Sequence, residues 1–432
     1  MLISMNIKNA KHVHFTGIKG VGMTSLALCC QDLGIKITGS DVEEEFVTDE
    51  TLKNRGLPWK IGFKKENLNP KPDLLVFTGA HGGLNNPEVL VAKELGIPVI
   101  SHAEALGQLA EGKKTIAVCG VGGKTTTCAM IATILEYAGL NPSYAIGVGN
   151  IPSTGTPGKY SKEGGYFICE ADEYAISPGV DNRPKFSLLS PKYLVVTNIK
   201  HDHPDIYKTS EEFEQVFSEF IKRVKSYGGK VVTKSKDLLP KGFKLNVPGT
   251  FNIENANNAY AVCKLIGIPG REIINGLKKY TGCKRRFEKI AEKNGILFYD
   301  DYAHHPIQIR ETLKATKGWF PDKRIVALFQ PHTYSRTKAL FSEFAKSFND
   351  ADFVGTVNIF ASARENIDSD VSSDKLIEEI KKHYPKPDNV KYLGGLQESV
   401  GFLIKTLKPG DIFITLGAGD VYKIHKLILE RI

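Results

Sequence analysis

Cysteine is sparse in this sequence, and its seven residues, Cys29, Cys30, Cys119, Cys128, Cys169, Cys263 and Cys283, include no C-x-x-C pair. That leaves no dithiol redox motif and no zinc ribbon to consider. Several of the thiols stand inside apolar runs such as 115–119, so they read as reduced core residues of a cytoplasmic protein. No apolar run approaches the ~20 residues that span a bilayer, and no basic-then-apolar leader precedes His12. Stable membrane association is therefore not expected. Short-period repeats and low-complexity tracts are also missing, which excludes solenoid and disordered architectures. Charge of one sign is nowhere concentrated: 57 Lys and Arg against 48 Asp and Glu give a formal net charge of +9 spread along the chain. Scattered basic residues favour a mildly basic enzyme over a nucleic-acid binder.

What is present is a globular composition, 41% hydrophobic and 24% charged. A chain of 432 residues is too long for one ordinary core. Apolar runs at 12–18, 36–41, 74–80 and 98–101 read as strands alternating with helical stretches. After a charged break at 111–114 the pattern resumes with strands at 115–119, 166–169 and 193–198 and a helix from Asn255. It breaks again near 283–288 and restarts with strands at 296–299, 324–329, 353–357, 391–393 and 411–416. Alternating strands and helices imply mostly parallel sheets. The predicted architecture is α/β with three consecutive domains: Rossmann-like over 1–108, a P-loop ATPase-like domain over 109–288, and a second Rossmann-like domain over 289–432.

In the middle segment the strand at 115–119 runs into Gly120-Val121-Gly122-Gly123-Lys124-Thr125-Thr126-Thr127 and then a helix. This order makes a phosphate cradle. Glycines turn backbone N–H groups toward the phosphates, the helix N-terminus adds a positive dipole, Lys124 supplies charge, and Thr125 or Thr126 can reach Mg2+. Val118 stands where the full P-loop pattern has its first glycine. Two polar clusters follow apolar strands: Glu170-Ala171-Asp172-Glu173, and the stretch from Asn198 to His203. Ligand sites in open parallel sheets lie at the carboxyl ends of strands, which makes Glu170 and His203 candidate Mg2+ ligands. In the first segment Gly17-Ile18-Lys19-Gly20-Val21-Gly22 lies between a strand and a helix, with Ser40-Asp41 closing the next strand. That arrangement holds a nucleotide diphosphate on a helix N-terminus and a hydroxyl-bearing ring on the acid. Its glycine spacing is G-x-x-G-x-G rather than the dinucleotide G-x-G-x-x-G, which argues against a dehydrogenase.

These motifs, in this order, resemble the Mur ligase family nearly end to end. The resemblance rests on the loops at 17–23 and 120–126, the 170–173 acids, Asp202-His203, Asn252 with Asn255, Arg285-Arg286-Phe287, Asp300-Asp301-Tyr302, His304-His305-Pro306, Phe329-Gln330-Pro331-His332 with Tyr334 and Arg336, and Gly417-Ala418-Gly419-Asp420. It implies an ATP-dependent ligase that joins L-alanine to the lactyl carboxylate of UDP-N-acetylmuramate through an acyl phosphate. On this resemblance Gly17, Gly20, Gly22, Ser40 and Asp41 hold the UDP moiety. Gly120, Gly123, Lys124, Thr125 and Thr126 hold ATP phosphates, and Thr125, Glu170 and His203 hold Mg2+. Asn252, Asn255, Arg286 and Asp301 surround the nucleotide, His332, Tyr334 and Arg336 face the amino acid, and the third domain closes on ATP and the amino acid. Lys124, His203 and Arg336 carry the catalytic roles.

Several positions depart from the family pattern: Gly122 where this branch usually has His, Lys200 where an acid is common, Phe251 where His is common, and Thr333 where an Arg is expected. Bland alternatives stand beside some assignments. Asn252 and Asn255 can be helix caps, Arg285-Arg286 a solvated charge run, and His304-His305 a metal pair, although adjacent His residues seldom converge on one ion. Competing functions are a ligase that attaches a murein tripeptide to the same UDP sugar, an NAD-dependent dehydrogenase, and a nucleotide-binding module without turnover. Nothing in the sequence sets an oligomeric state.

Overall fold

The computed structural model describes residues 5–203, 206–233, 235–236, 238–361 and 368–432. Its first sheet grows from strands that read in the sequence as apolar runs. β1 (His12–Thr16), β2 (Lys36–Asp41), β3 (Lys60–Ile61), β4 (Leu74–Phe77) and β5 (Val99–Ser101) pair in the order β3-β2-β1-β4-β5, all parallel. Every residue of β1 and β4 is buried, as expected for parallel strands covered on both faces. The helices between them are α1 (Val21–Asp32), α2 (Asp49–Asn54), α3 (Pro87–Glu94) and α4 (His102–Ala110). Local chemistry sets two of their starts. Asn86 caps α3 ahead of Pro87, and Ser101 with Glu104 forms a reciprocal capping box on α4.

The second sheet contains β6 (Lys114–Cys119), β7 (Ser143–Ala145), β8 (Gly158–Lys159), β9 (Tyr166–Glu170), β12 (Tyr193–Val196) and β13 (Lys230–Thr233). Its order is β13-β12-β6-β9-β7-β8, and only β7 and β8 pair antiparallel. A separate hairpin joins β10 (Ala175–Ser177) to β11 (Asp181–Pro184). The flanking helices are α5 (Lys124–Tyr137), α6 (Ser210–Ser226), α7 (Thr250–Leu265) and α8 (Gly270–Lys279). Both sheets belong to one compact unit, Met1–Asn246 with Glu254–Lys284. Helix α1 serves both: Cys29 Sγ donates to Tyr144 O at 3.3 Å, and a Cβ on Gly158 would collide with the Ser25 backbone.

A second compact unit, Val247–Ile253 with Arg285–Ile432, holds the third sheet. Its strands are β14 (Glu288–Lys293), β15 (Ile296–Asp301), β16 (Ile325–Phe329), β17 (Phe353–Thr356), β18 (Val390–Tyr392) and β19 (Ile412–Leu416). They run β14-β15-β19-β16-β17-β18, with only β14 antiparallel. Side chains alternate between two cores. Phe329, Leu313 and Phe344 lie on one face, and Phe298, Phe413 and Ile424 on the other, so the sheet is covered on both sides. Helices α9 (Pro306–Trp319) and α10 (Tyr334–Ala339) follow β15 and β16.

The strands predicted from apolar runs are present in all three sheets. The short strands β3, β7, β8, β10 and β11, and the edge strands β13 and β14, were not among the predicted elements. The helix predicted from Asn255 begins at Thr250. Asn252 and Asn255 therefore lie inside it, which removes their reading as caps. All seven cysteines are buried and none forms a disulfide. Among the described residues no helix is long and apolar enough to cross a membrane.

Candidate functional site

Three clusters form where strands end. The first is the glycine loop after β1. Gly17, at φ +79°, turns the chain so that the amides of Gly17 and Ile18 donate to Ser40 O at 2.8 and 3.1 Å. Lys19 N donates to Asp41 Oδ2 at 2.7 Å and Val42 N to Asp41 Oδ1 at 2.8 Å. Gly20 caps α1 without a side-chain oxygen, leaving the first-turn amides to face whatever binds there. A Cβ on Gly22 would stand 2.7 Å from His102 Nε2. Ser40 and Asp41 are both fully buried and act from beneath the loop. Ser40 Oγ donates to Glu88 at 2.5 Å, beside Thr16 at 2.9 Å, His14 at 3.3 Å and Asn67 at 2.6 Å. Neither Glu88 nor Lys19 was singled out from the sequence. Lys19 is 1% exposed, lies over the rings of Phe46 and Trp59, and donates to Glu44 O.

The second cluster opens α5. Gly120 and Gly123 have φ of +121° and +82°, values that only glycine adopts without strain. A Cβ on Gly120 would overlap Thr197 Oγ1, and one on Gly123 would overlap Asn255 Oδ1. The Gly122 carbonyl accepts from Thr197 Oγ1 at 2.6 Å and Asn198 Nδ2 at 3.2 Å, so the end of β12 fixes the loop. Lys124 Nζ donates to Gly120 O at 2.7 Å and to both Glu173 carboxylate oxygens at 2.8 Å. Burial alone pushes the ammonium down, yet Glu173, followed by Asp172, raises it above the usual lysine range. Thr125 Oγ1 lies 3.1 Å from each oxygen of Glu170, and Gly147 N donates to Glu170 Oε1 at 2.8 Å. Thr126 is buried in the same turn. Thr127 Oγ1 donates to Asn255 Oδ1 at 3.3 Å.

Asp172 pairs with Lys185 at 2.7 Å. Despite burial, Lys185 and then Lys124 hold its carboxyl far below the usual range. His203, at φ +56°, lies against the Tyr174 ring at 4.8 Å, with Nε2 3.9 Å from Glu173 Oε1 and 3.8 Å from Asp202 Oδ2. The structure thus places His203 beside Glu173, while Glu170 meets Thr125. Among the described residues no group of three His, Cys, Asp or Glu is arranged to hold a metal. The Thr125 hydroxyl and Glu170 carboxylate are hard oxygen donors side by side, which fits Mg2+, an ion that completes its shell with water and phosphate oxygens.

The third cluster lies in the second unit. Arg285 is buried: its Nε donates to Asp300 at 2.9 Å, and its other nitrogens donate to Gly417 O at 2.6 Å and Gly419 O at 2.9 Å. The charge-run reading therefore fails for Arg285, which ties β15 to the loop after β19. Arg286 is half-buried over the Tyr302 ring at 4.9 Å. Asp301 accepts from Ala303 N at 2.8 Å and Phe287 N at 3.1 Å. Burial pushes its carboxyl up to about 6 against the nearby Arg286 charge. Asn252 Nδ2 donates to Pro248 O at 2.6 Å.

The two adjacent histidines diverge. His305 caps α9, while the His304 ring faces His332 at 6.1 Å. His332 stacks on Phe360 at 5.7 Å, with its Nδ1 3.4 Å from Arg336 Nη1. Tyr334 opens α10, and Thr333, at φ +68°, caps that helix by accepting from Arg336 N at 3.4 Å. Phe360 was not anticipated, since only a bridge between distant segments brings it to His332.

With these geometries in place, comparison with known proteins gives one answer along the chain. The model described as Mur ligase family, catalytic domain, matches residues 12–114. The Mur ligase middle domain matches 118–242, and the Mur ligase, glutamate ligase domain, matches 285–419. A UDP-N-acetylmuramate–L-alanine ligase of Desulfitobacterium hafniense is 38% identical over 97% of this chain and 99% of its own length. One from Trichlorobacter lovleyi is 35% identical over 98% and 99%. Among solved structures, the UDP-N-acetylmuramate–alanine ligase of Thermotoga maritima superposes with a TM-score of 0.78 at 26% identity, covering 98% of this chain and 99% of that one. A murein peptide ligase of Psychrobacter arcticus shares the fold, with a TM-score of 0.71 at 23% identity over 97% and 98%.

Proposed function

This chain belongs to the Mur ligase family, and from that premise we propose that it joins L-alanine to UDP-N-acetylmuramate with ATP in peptidoglycan precursor synthesis. The observation that carries the reading is the opening of α5, where a lysine, a hydroxyl–carboxylate pair and left-handed glycines converge on the end of one strand. The similarity to L-alanine ligases over nearly the whole chain supplies the substrates.

In the reaction a lactyl carboxylate oxygen attacks the γ-phosphorus of ATP and ADP leaves. The neutral amine of L-alanine then attacks the acyl carbon and inorganic phosphate departs. Carboxylate and triphosphate repel each other, so catalysis consists largely of charge neutralisation and alignment. Lys124 and the α5 N-terminus meet the phosphates in the cradle of Gly120, Gly123 and Thr126. Thr125 and Glu170 would hold Mg2+, with His203 as a further ligand, and the ion would neutralise phosphate charge. We assign the UDP moiety to Gly17, Gly20 and Gly22, with Ser40 and Asp41 fixing that loop. Asn252, Asn255, Arg286 and Asp301 serve the nucleotide, and His332, Tyr334 and Arg336 serve the amino acid. The working division remains 1–108 for the sugar nucleotide, 109–288 for ATP and 289–432 for the amino-acid end, in a cytoplasmic enzyme.

The test is phosphate release from ATP with UDP-N-acetylmuramate across a panel of amino acids and the murein tripeptide. Release with L-alanine is expected. Release with the tripeptide and not with L-alanine would replace this reading by the recycling ligase.

A further inference from the structure

Lysine has three ammonium hydrogens, and at Lys124 all three have partners: Gly120 O at 2.7 Å and the two Glu173 oxygens at 2.8 Å. A phosphate oxygen can therefore reach this ammonium only by exchanging one of these acceptors. Glu173 is 1% exposed, so its charge is compensated by Lys124 rather than by water. Tyr207 Oη donates to the Glu173 main-chain oxygen at 2.5 Å, and Tyr207 is itself packed edge-on against Phe213 at 5.2 Å. The backbone that carries this carboxylate is thus anchored to the domain core.

The three acids of this segment also have distinct partners. Glu170 meets Thr125 and Gly147 N, Asp172 meets Lys185, and Glu173 meets Lys124. Only the last touches the P-loop lysine through two hydrogen bonds.

We propose that Glu173 is a positioning residue for Lys124, aiming its ammonium along the P-loop and competing with phosphate oxygens for it. The inference rests on the nucleotide reading above. Two effects with opposite consequences follow. A carboxylate that competes for the lysine weakens ground-state nucleotide binding, whereas a carboxylate that aims it favours the phosphoryl-transfer geometry. A residue that merely supports the fold would change affinity and turnover in the same unfavourable direction.

The experiment uses the full chain with Glu173→Gln, which keeps the shape and removes the charge. Affinity for the non-hydrolysable analogue AMP-PNP with Mg2+ is measured by calorimetry, and kcat by phosphate release. The expected result is a split: AMP-PNP binds about threefold to tenfold tighter, while kcat falls about tenfold or more. Unchanged or weaker AMP-PNP binding overturns the competition, and an unchanged kcat overturns the positioning. If the parent chain itself binds no AMP-PNP, the nucleotide reading falls as well. Parent binding without a gain in the variant removes Glu173 alone. Should Glu173→Gln fail to fold, Glu173→Asp carries the same test, since a carboxylate one methylene shorter cannot keep both contacts. The same split at smaller amplitude is expected, and its absence overturns the proposal.

Discussion

Gly123 and Asn255 are packed so closely that a methyl group on the glycine would overlap the asparagine Oδ1, at a backbone position with φ +82°. The P-loop thus owes its shape to α7 as well as to its own glycines. Asn255 also accepts from Thr127 Oγ1, tying the first turn of α5 to the same side chain. Gly123→Ala adds an overlap to a left-handed strain of about 1–2 kcal/mol. It is expected to weaken nucleotide binding about tenfold or more and to lower thermal stability. Gly122→Ala is the control, because a Cβ there meets only Asn198 Nδ2, at 3.5 Å. Titration of AMP-PNP into both variants checks the contrast, and equal losses would count against it.

Lys124→Ala is expected to abolish turnover. A lysine on a loop reads from sequence as exposed and neutral for stability, but this side chain is 15% exposed and paired with a carboxylate that is 1% exposed. Removing it strands a buried charge, at a cost on the order of 2–3 kcal/mol. The double variant Lys124→Ala, Glu173→Gln is expected to recover most of that stability and none of the activity. Urea unfolding of the single and double variants measures the recovery.

At the amino-acid end, Arg336→Ala is expected to raise the KM for L-alanine roughly tenfold to a hundredfold, through loss of a charged hydrogen bond of about 1.5–3 kcal/mol. The KM for ATP should change little. Thr333→Arg would add a second cation and so, from sequence, should tighten alanine binding. The structure reverses that expectation. Thr333 caps α10 through its hydroxyl and sits at φ +68°, so arginine loses the cap, worth about 1 kcal/mol, and disturbs Arg336. A raised alanine KM is expected for Thr333→Arg, and steady-state kinetics with each substrate varied decide the sign.

Two buried groups in the second unit give opposite pH dependences. Burial holds the His425 imidazole down at about 4, below its ordinary value. Its stabilising contribution is therefore present above about 6.5 and is lost as pH falls through 4. Asp301, held up near 6, contributes stability below about 3.8 that is lost as pH rises through 6. Each amounts to on the order of 3 kcal/mol at full effect. The two slopes largely cancel between pH 4 and 6. His425→Gln can still donate to Thr415, whose hydroxyl lies 2.7 Å from His425 Nε2, but it has no proton to gain. Its stability relative to the parent is expected to improve steadily as pH falls from 6.5 to 4. Unfolding across that range with a constant difference would contradict the assignment.

The parallel strands were legible because burial on both faces leaves an uninterrupted apolar run, as in Leu74–Phe77 or Ile325–Phe329. The edge strand Glu288–Lys293 was not. Its sequence EKIAEK is charged and largely exposed, which protects a sheet edge but looks like a break. A strand of only two residues, such as Gly158–Lys159, carries too few side chains to show a period. The phosphate loops were legible from their glycines, since left-handed turns need them. What composition and spacing could not give was pairing across the fold: Glu173 on Lys124, Phe360 on His332, and Glu88 beneath Ser40. The capping alternative for Asn252 and Asn255 arose from starting α7 at Asn255 rather than Thr250. The first turn of that helix, Thr250-Phe251-Asn252-Ile253, alternates polar and apolar residues and so shows no helical apolar stripe.

The burial of every thiol has a practical consequence. Burial lifts Cys29, Cys30, Cys119, Cys128, Cys169 and Cys263 above the ordinary cysteine range, so little thiolate is present near neutral pH to attack an alkylating reagent. A single cysteine introduced at an exposed position, such as Val180 on the hairpin or Trp319 at the end of α9, would then take up a maleimide fluorophore almost alone. Site-specific optical reporters can be installed in either compact unit without first stripping the native sulfur from its interior.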